Sequence, residues 1–235
     1  MKYLFLIASV VFLAGCQGIE PDPAETPTET PDDSSAGEIS TPDPEESENS
    51  LMIDVPYESY LKDSNPVVTM EVQGLGTMKL QLFPDVAPNS VNNMIKLVQD
   101  GYYDGLIFHR VIENFMIQGG WGELVGKPAS ACTIAGEFNA NGFENPLEHD
   151  RGVLSMARTS VMDSATSQFF VMHQKSPHLD GQYAGFGGLI EGFDVLDAIA
   201  TTATGFQDQP NENIVMERVT VELNGYVPSE PDCVN

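Results

Sequence analysis

The sequence predicts a mainly β protein, a closed antiparallel barrel with helices capping its ends. Three observations predict it. Short strand-like runs recur along the chain, glycines punctuate them, and only two segments switch to helical periodicity.

The first strands lie in "PVVTMEVQGLGTMKLQLF". Val68, Met70 and Val72 alternate with Thr69 and Glu71, and Met78, Leu80 and Leu82 alternate with Lys79 and Gln81. Period two on both sides of "GLG" reads as a hairpin. In "APNSVNNMIKLVQDGYYDG" the period changes: Val91, Met94, Ile95 and Val98 recur at three and four. That predicts an amphipathic helix, with Asn89 or Ser90 as N-cap and Gly101 as terminator. Strand-like runs follow in "LIFHRVI", "FMIQGG", "GVLSMAR", "SQFFVMH", "AGFGGLI" and "NIVMERVTVEL". Val195, Leu196 and Ile199 share a face in "GFDVLDAIATT", the second helix.

The N-terminus is of another kind. "MKYLFLIASVVFLAGCQG" has one Lys, an apolar run and then small residues, the pattern of a secretory signal. It is too short for a permanent span. "LAGC" resembles the bacterial lipoprotein processing site, which implies cleavage before Cys16 and a diacylglyceryl group on its sulfur. An ordinary signal peptide with an incidental Cys16 is the alternative. Residues 17–50 are rich in Pro, Thr, Ser, Asp and Glu, with 11 acidic residues and no Lys or Arg. Such a segment buries too little apolar surface to offset chain entropy, so it reads as a disordered tether. The expected organisation is a signal peptide over 1–15, lipidated Cys16 and tether over 16–50, an N-terminal extension over 51–65, one domain over 66–223 and a tail over 224–235. The expected location is the bacterial cell envelope, with the domain lipid-anchored to a membrane and facing the extracytoplasmic side.

The net charge of −25 repels phosphate backbones, which argues against nucleic-acid binding. Beyond Cys16 only Cys132 and Cys233 remain. A disulfide suits an oxidising compartment, two independent thiols are the default reading, and the sequence does not show whether the pair comes within bridging distance. No CxxC or Cys/His cluster suggests a metal.

"FHRVIENFMIQGG" poses a chemical question, because Arg110 and Gln118 interrupt Phe108, Val111, Ile112, Phe115, Met116 and Ile117. A buried charge without a partner is costly. Taken singly, Arg110 reads as a solvated strand residue, and Phe115, Met116 and Phe170 read as core. The four blocks "FHRVIENFMIQGG", "GVLSMAR", "SATSQFFV" and "HLDGQYAGFGGLIEGFDVLDAI", in this order, resemble the cyclophilin family of peptidyl-prolyl cis/trans isomerases over roughly residues 66–223. The resemblance implies an eight-stranded barrel with two helices and a substrate groove on its outer surface. It implies that Phe115, Met116, Phe170 and Leu179 form an apolar proline pocket. Arg110 is then the catalytic cation, and Gln118 orients it or contacts substrate backbone. Gln168 lies nearby and Ala157 lines the peptide path. It also implies proline-containing polypeptide clients, no cofactor and a monomer.

The chemistry fits those residue types. Rotation about X–Pro faces a barrier of about 18–20 kcal/mol from amide resonance. No covalent bond breaks, so no nucleophile is needed. A fixed guanidinium donating to the prolyl nitrogen or adjacent carbonyl binds the twisted amide better than the planar one. Its hydrogen bond is worth about 1.5–3 kcal/mol, so orientation and a dry pocket must supply the remainder. The sequence departs from the family pattern at three groove positions. His178 replaces a frequent Trp, which puts cyclosporin binding in doubt. Tyr183 replaces a His. Arg158 replaces an Asn, adding a charge near the peptide path with an expected effect on substrate preference. His109 points away from Arg110 in a regular strand and reads as structural. His149 and His173 show no ligand spacing or partner carboxylate pattern. A non-catalytic peptide-binding or adhesion module on this fold is the competing function. A hydrolase lacks a GxSxG element and a plausible Ser/His/Asp arrangement.

Overall fold

Residues 56–130 and 132–234 are described by the computed structural model. The expected signal peptide, Cys16, the expected tether and residues 51–55 lie outside the described residues.

Eight antiparallel strands form one curled sheet: β1 (Val67–Val72), β2 (Gly76–Leu82), β3 (Arg110–Ile112), β4 (Met116–Gly119), β5 (Val153–Met156), β6 (Phe169–Met172), β7 (Gly185–Glu191) and β8 (Met216–Glu222). The order across it is β3-β4-β6-β5-β7-β2-β1-β8. The predicted hairpin is β1–β2, in register from Val67↔Gln81 to Val72↔Gly76. The expected closed barrel is corrected to a curled half-barrel, because β3 and β8 end the order without a shared ladder. The run "LIFHRVI" is a strand only from Arg110. Before it, the chain meets the approach to β8 through Phe108 N–H to Ile214 O, Met216 N–H to Leu106 O and the isolated bridge Ile107↔Val215.

Helix α1 (Pro88–Gln99) lies against β7 and β8, and α2 (Phe193–Ala200) against β2, β3 and β4. The expected N-cap of α1, Asn89 or Ser90, is corrected. The helix begins at Pro88, and the Glu137 carboxylate accepts from Asn89 N–H at 2.9 Å and Ser90 N–H at 2.7 Å. Proline suits the first helical position because it has no N–H to leave orphaned, and an anion there complements the helix dipole. The apolar faces of both helices and of the sheet share one core that includes Met70, Leu80, Met94, Ile117, Phe169, Val171, Phe186 and Leu196.

The chain before β1 and the chain after β8 both pack onto this unit. Tyr57 is buried, and its hydroxyl donates to Leu189 O at 2.7 Å. Its ring occupies the space beside Gly188, where a Cβ would stand 2.3 Å from a ring carbon. Past β8, the Tyr226 hydroxyl bonds Asn92 Oδ1 at 3.0 Å. Cys132 and Cys233, whose pairing the sequence leaves open, form a disulfide with Cα atoms 5.2 Å apart.

Candidate active site

Register builds the site. Arg110 stands opposite Gln118, Gln118 opposite Phe170, and Phe170 opposite Ser155, a row across β3, β4, β6 and β5. Side chains alternate faces with period two. Arg110, Met116, Gln118 and Phe170 therefore share one face, and Val111, Ile117, Phe169 and Val171 turn to the core. Gly120 lets β4 end in tight contact with β6: its φ is +87°, and a Cβ would meet Ser167 O at 2.4 Å.

A cavity of about 140 Å³ opens on that face, lined by Arg110, Phe115, Met116, Gln118, Ala157, Arg158, Phe170, Leu179 and Tyr183. Met116, Phe170 and Leu179 are buried and Phe115 half-buried. Leu179 ends the 3-10 turn Pro177–Leu179. The Tyr183 ring meets Phe170 edge-on at 5.8 Å. The two remaining expected residues stand one contact outward. His178 stacks on Phe115 at 5.7 Å, and the Gln168 side chain accepts from Gln118 Nε2 at 3.0 Å. Gln118 thus bonds Gln168 while standing opposite Arg110 across the β3–β4 pair.

Asp208 bonds Arg110. Arg110 Nε donates to Asp208 Oδ2 at 3.3 Å, and the arginine side chain stays 40% exposed. The cation is neither buried alone nor free: its stem crosses an apolar floor and its head remains in the groove. Asp208 and the preceding Gln207 both have left-handed backbones, with φ of 60° and 59°. That conformation costs roughly 1–2 kcal/mol per non-glycine residue. Main-chain bonds from Gly205 N–H to Gln209 O and from Asn211 N–H to Ala203 O hold the loop closed. Nothing periodic marks "FQDQP", so sequence reasoning missed Asp208.

The other three histidines, His109, His149 and His173, are structural, two of them through partners the sequence did not reveal. The absence of partner carboxylates for His149 and His173 is corrected: each has one. His149 Nδ1 lies 3.0 Å from Asp180 Oδ1, and its Nε2 lies 3.0 Å from Ser155 Oγ. This corrects the statement that no Ser/His/Asp arrangement exists. His149 and Ser155 are wholly buried, however, so no substrate reaches the serine. The imidazole stacks on Phe170 at 6.0 Å, and burial lowers its pKa despite Asp180. His173 holds the β3–β4 turn. Asn114 N–H donates to its Nδ1 at 2.8 Å, which leaves the proton on Nε2 to face Asp197 Oδ1 at 3.1 Å. His173 N–H also donates to Phe115 O, placing the pocket aromatic. A hydrogen bond from Arg151 holds the Asp197 carboxyl below its usual pKa. His109 is buried with no partner for Nδ1 among the described residues. Burial, then the Arg110 charge, lowers its pKa to about 4, so it is neutral near pH 7.

This arrangement can hold an apolar ring against Phe115, Met116, Phe170 and Leu179 while a guanidinium faces the adjoining amide. Among the described residues no His, Cys, Asp and Glu cluster could hold a metal ion.

Comparison with known proteins agrees with the geometry. The family model described as cyclophilin type peptidyl-prolyl cis-trans isomerase/CLD matches residues 67–221. Peptidyl-prolyl cis-trans isomerase CYP18-1 of Arabidopsis thaliana is 43% identical over 64% of this chain and 92% of its own length. Peptidyl-prolyl cis-trans isomerase B of Escherichia coli is 38% identical over 62% of this chain and 94% of its own. The chain spans only 26% of a longer relative, peptidyl-prolyl cis-trans isomerase-like 2 of Gibberella zeae, at 35% identity. A cyclophilin-type isomerase of Cryptosporidium parvum, crystallised in the presence of the dipeptide Ala-Pro, superposes with a TM-score of 0.60 at 30% identity, covering 66% of this chain and 98% of that one. Fold and site together define an isomerase domain with an arginine beside an apolar socket. The chain belongs to the cyclophilin-type peptidyl-prolyl cis-trans isomerase family, and its activity is that of an isomerase.

Proposed function

We propose that this chain is a lipid-anchored peptidyl-prolyl isomerase of the bacterial cell envelope, acting as a monomer on proline-containing segments of exported polypeptides and so assisting their folding. One observation carries the catalytic part: Arg110 and the apolar residues Phe115, Met116, Phe170 and Leu179 line one cavity. Phe115, Met116, Phe170 and Leu179 seat the proline ring. Arg110 donates to the prolyl nitrogen or its carbonyl as the amide twists, a contact that strengthens toward the transition state. Gln118, tied to Gln168, binds substrate backbone, and Ala157 and Tyr183 flank the peptide, with His178 supporting Phe115.

The envelope part rests on other observations. "LAGC" ends the apolar N-terminal run, so Cys16 is the lipidated residue and the acidic segment after it the tether. The Cys132–Cys233 disulfide suits an oxidising compartment. Among the described residues no helix is long and apolar enough to cross a membrane.

Two measurements test the proposal. Exchange NMR on an Ala-Pro peptide reports isomerisation without a coupled protease, and the full chain is expected to accelerate exchange at substoichiometric amounts. A labelled fatty acid fed to expressing cells is expected to enter the wild-type protein and not Cys16→Ser. Unaccelerated exchange overturns the first part; label retained in the variant overturns the second.

A further inference from the structure

Among the described Lys and Arg side chains, Lys127, Arg158 and Arg218 have no ion-paired carboxylate, and of these three only Arg158 lines the cavity beside Arg110. Six of the nine described Lys and Arg side chains stand within ion-pair distance of a carboxylate. Arg158 has no such partner among the described residues. Its bonds are to carbonyls: Nε and Nη2 donate to Gln182 O at 3.1 and 2.9 Å, and Nη1 donates to Thr159 O at 2.8 Å. Its guanidinium carbon lies 4.6 Å from the Tyr183 ring centre and 5.0 Å from that of Phe138. Main-chain carbonyls and ring faces hold the group in place and leave its full charge. Of its five N–H groups, three are engaged, so two remain for a ligand.

Its location gives that charge a use. Arg158 lines the same cavity as Arg110, and no Asp or Glu lines it. Asp208 offsets Arg110, so Arg158 is the unmatched charge of the groove. The surrounding domain is acidic, with 24 Asp and Glu against 9 Lys and Arg from residue 51 on, and by itself would repel acidic clients.

We propose that Arg158 is a specificity residue that makes the groove favour X–Pro segments carrying Asp or Glu within two residues of the proline, and disfavour Lys or Arg there. The proposal rests on the isomerase reading above. A carboxylate about 4–6 Å from a half-buried guanidinium gains enough for a preference of about three- to tenfold.

A peptide panel tests it. Glu, Gln or Lys is placed in turn at each of the two positions before and the two positions after the proline of an otherwise alanine peptide, and exchange NMR gives kcat/KM for the full chain. At one or more positions the expected order is Glu over Gln over Lys, with Glu exceeding Gln about three- to tenfold in low salt and the ratio falling toward one at high salt. Arg158→Gln is expected to abolish the Glu-to-Gln ratio, and Arg158→Lys to retain part of it. Equal rates for Glu and Gln everywhere, or a ratio that survives Arg158→Gln, would overturn the proposal. Chemical-shift titration of the same peptides with wild-type protein gives their Kd values. If no peptide is turned over, the isomerase reading falls, and the Glu-to-Gln ratio of Kd values still decides the selectivity of Arg158.

Discussion

Two polar assemblies adjoin Phe170. On one side Ser155, His149 and Asp180 are bonded in the order of a hydrolytic triad. On the other, Arg110, Gln118 and Gln168 form a row with only one bond to a carboxylate, from Arg110 to the exposed Asp208. The first has the look of chemistry and the second the look of a surface. Exposure reverses that impression. Both His149 ring nitrogens are engaged and the serine is unreachable, so the triad is a scaffold for the Phe170 wall. Arg110 keeps donors directed at open groove, and those donors are what a twisting amide can use. Residue identity alone does not separate the two assemblies; access to the cavity does.

The largest effect that tests this difference is on stability. His149→Ala leaves Ser155 and Asp180 without their partner and opens a void beside Phe170. It is expected to lower unfolding free energy by about 3 kcal/mol in denaturant titrations, with kcat per folded molecule kept within about threefold. A hundredfold loss of turnover at unchanged stability would show the triad to be chemical after all.

A pH effect of similar kind follows from the buried histidines. The folded pKa of His109 is lowered to about 4 from an unfolded value near 6.5. Between those values the unfolded chain binds the extra proton, so stability is fully present above pH 6.5 and declines as pH falls toward 4. The expected loss over that window is on the order of 2–3 kcal/mol, and His109→Phe should flatten it. His149, also lowered, adds in the same direction. A flat profile between pH 7 and 4.5 would contradict the burial of a neutral ring.

The smallest effect separates fixing Arg110 from merely pairing it. Asp208→Asn is expected to lower kcat about two- to fivefold with stability changed by less than about 0.5 kcal/mol, since the pair is half exposed. A rise in kcat would mean that Asp208 restrains the arginine.

Much of this difference is invisible in sequence for a physical reason. Period-two and period-3.6 patterns report local burial, so the β1–β2 hairpin and both helices were legible from Val68, Met94 and Leu196. The eleven groove residues were legible through motif blocks whose spacing matches a known family. Contacts across the chain were not. Glu137 caps a helix that begins 49 residues earlier, Asp208 reaches Arg110 across 98 residues, and Asp180 meets His149 across 31. Sheet closure was over-read for the same reason, because strand signals do not say whether the two end strands meet. Asp180 did carry a faint signal, standing directly after Leu179 in "HLDG".

Of the groove residues, Arg110 bears the largest share of the proposed catalysis. Arg110→Ala, followed by exchange NMR on an Ala-Pro peptide with KM measured separately, tests it directly. Loss of one charged hydrogen bond worth about 1.5–3 kcal/mol predicts a kcat lower by roughly ten- to a hundredfold, with KM within about threefold and the unfolding midpoint unchanged. Wild-type kcat in a folded Arg110→Ala protein would contradict it.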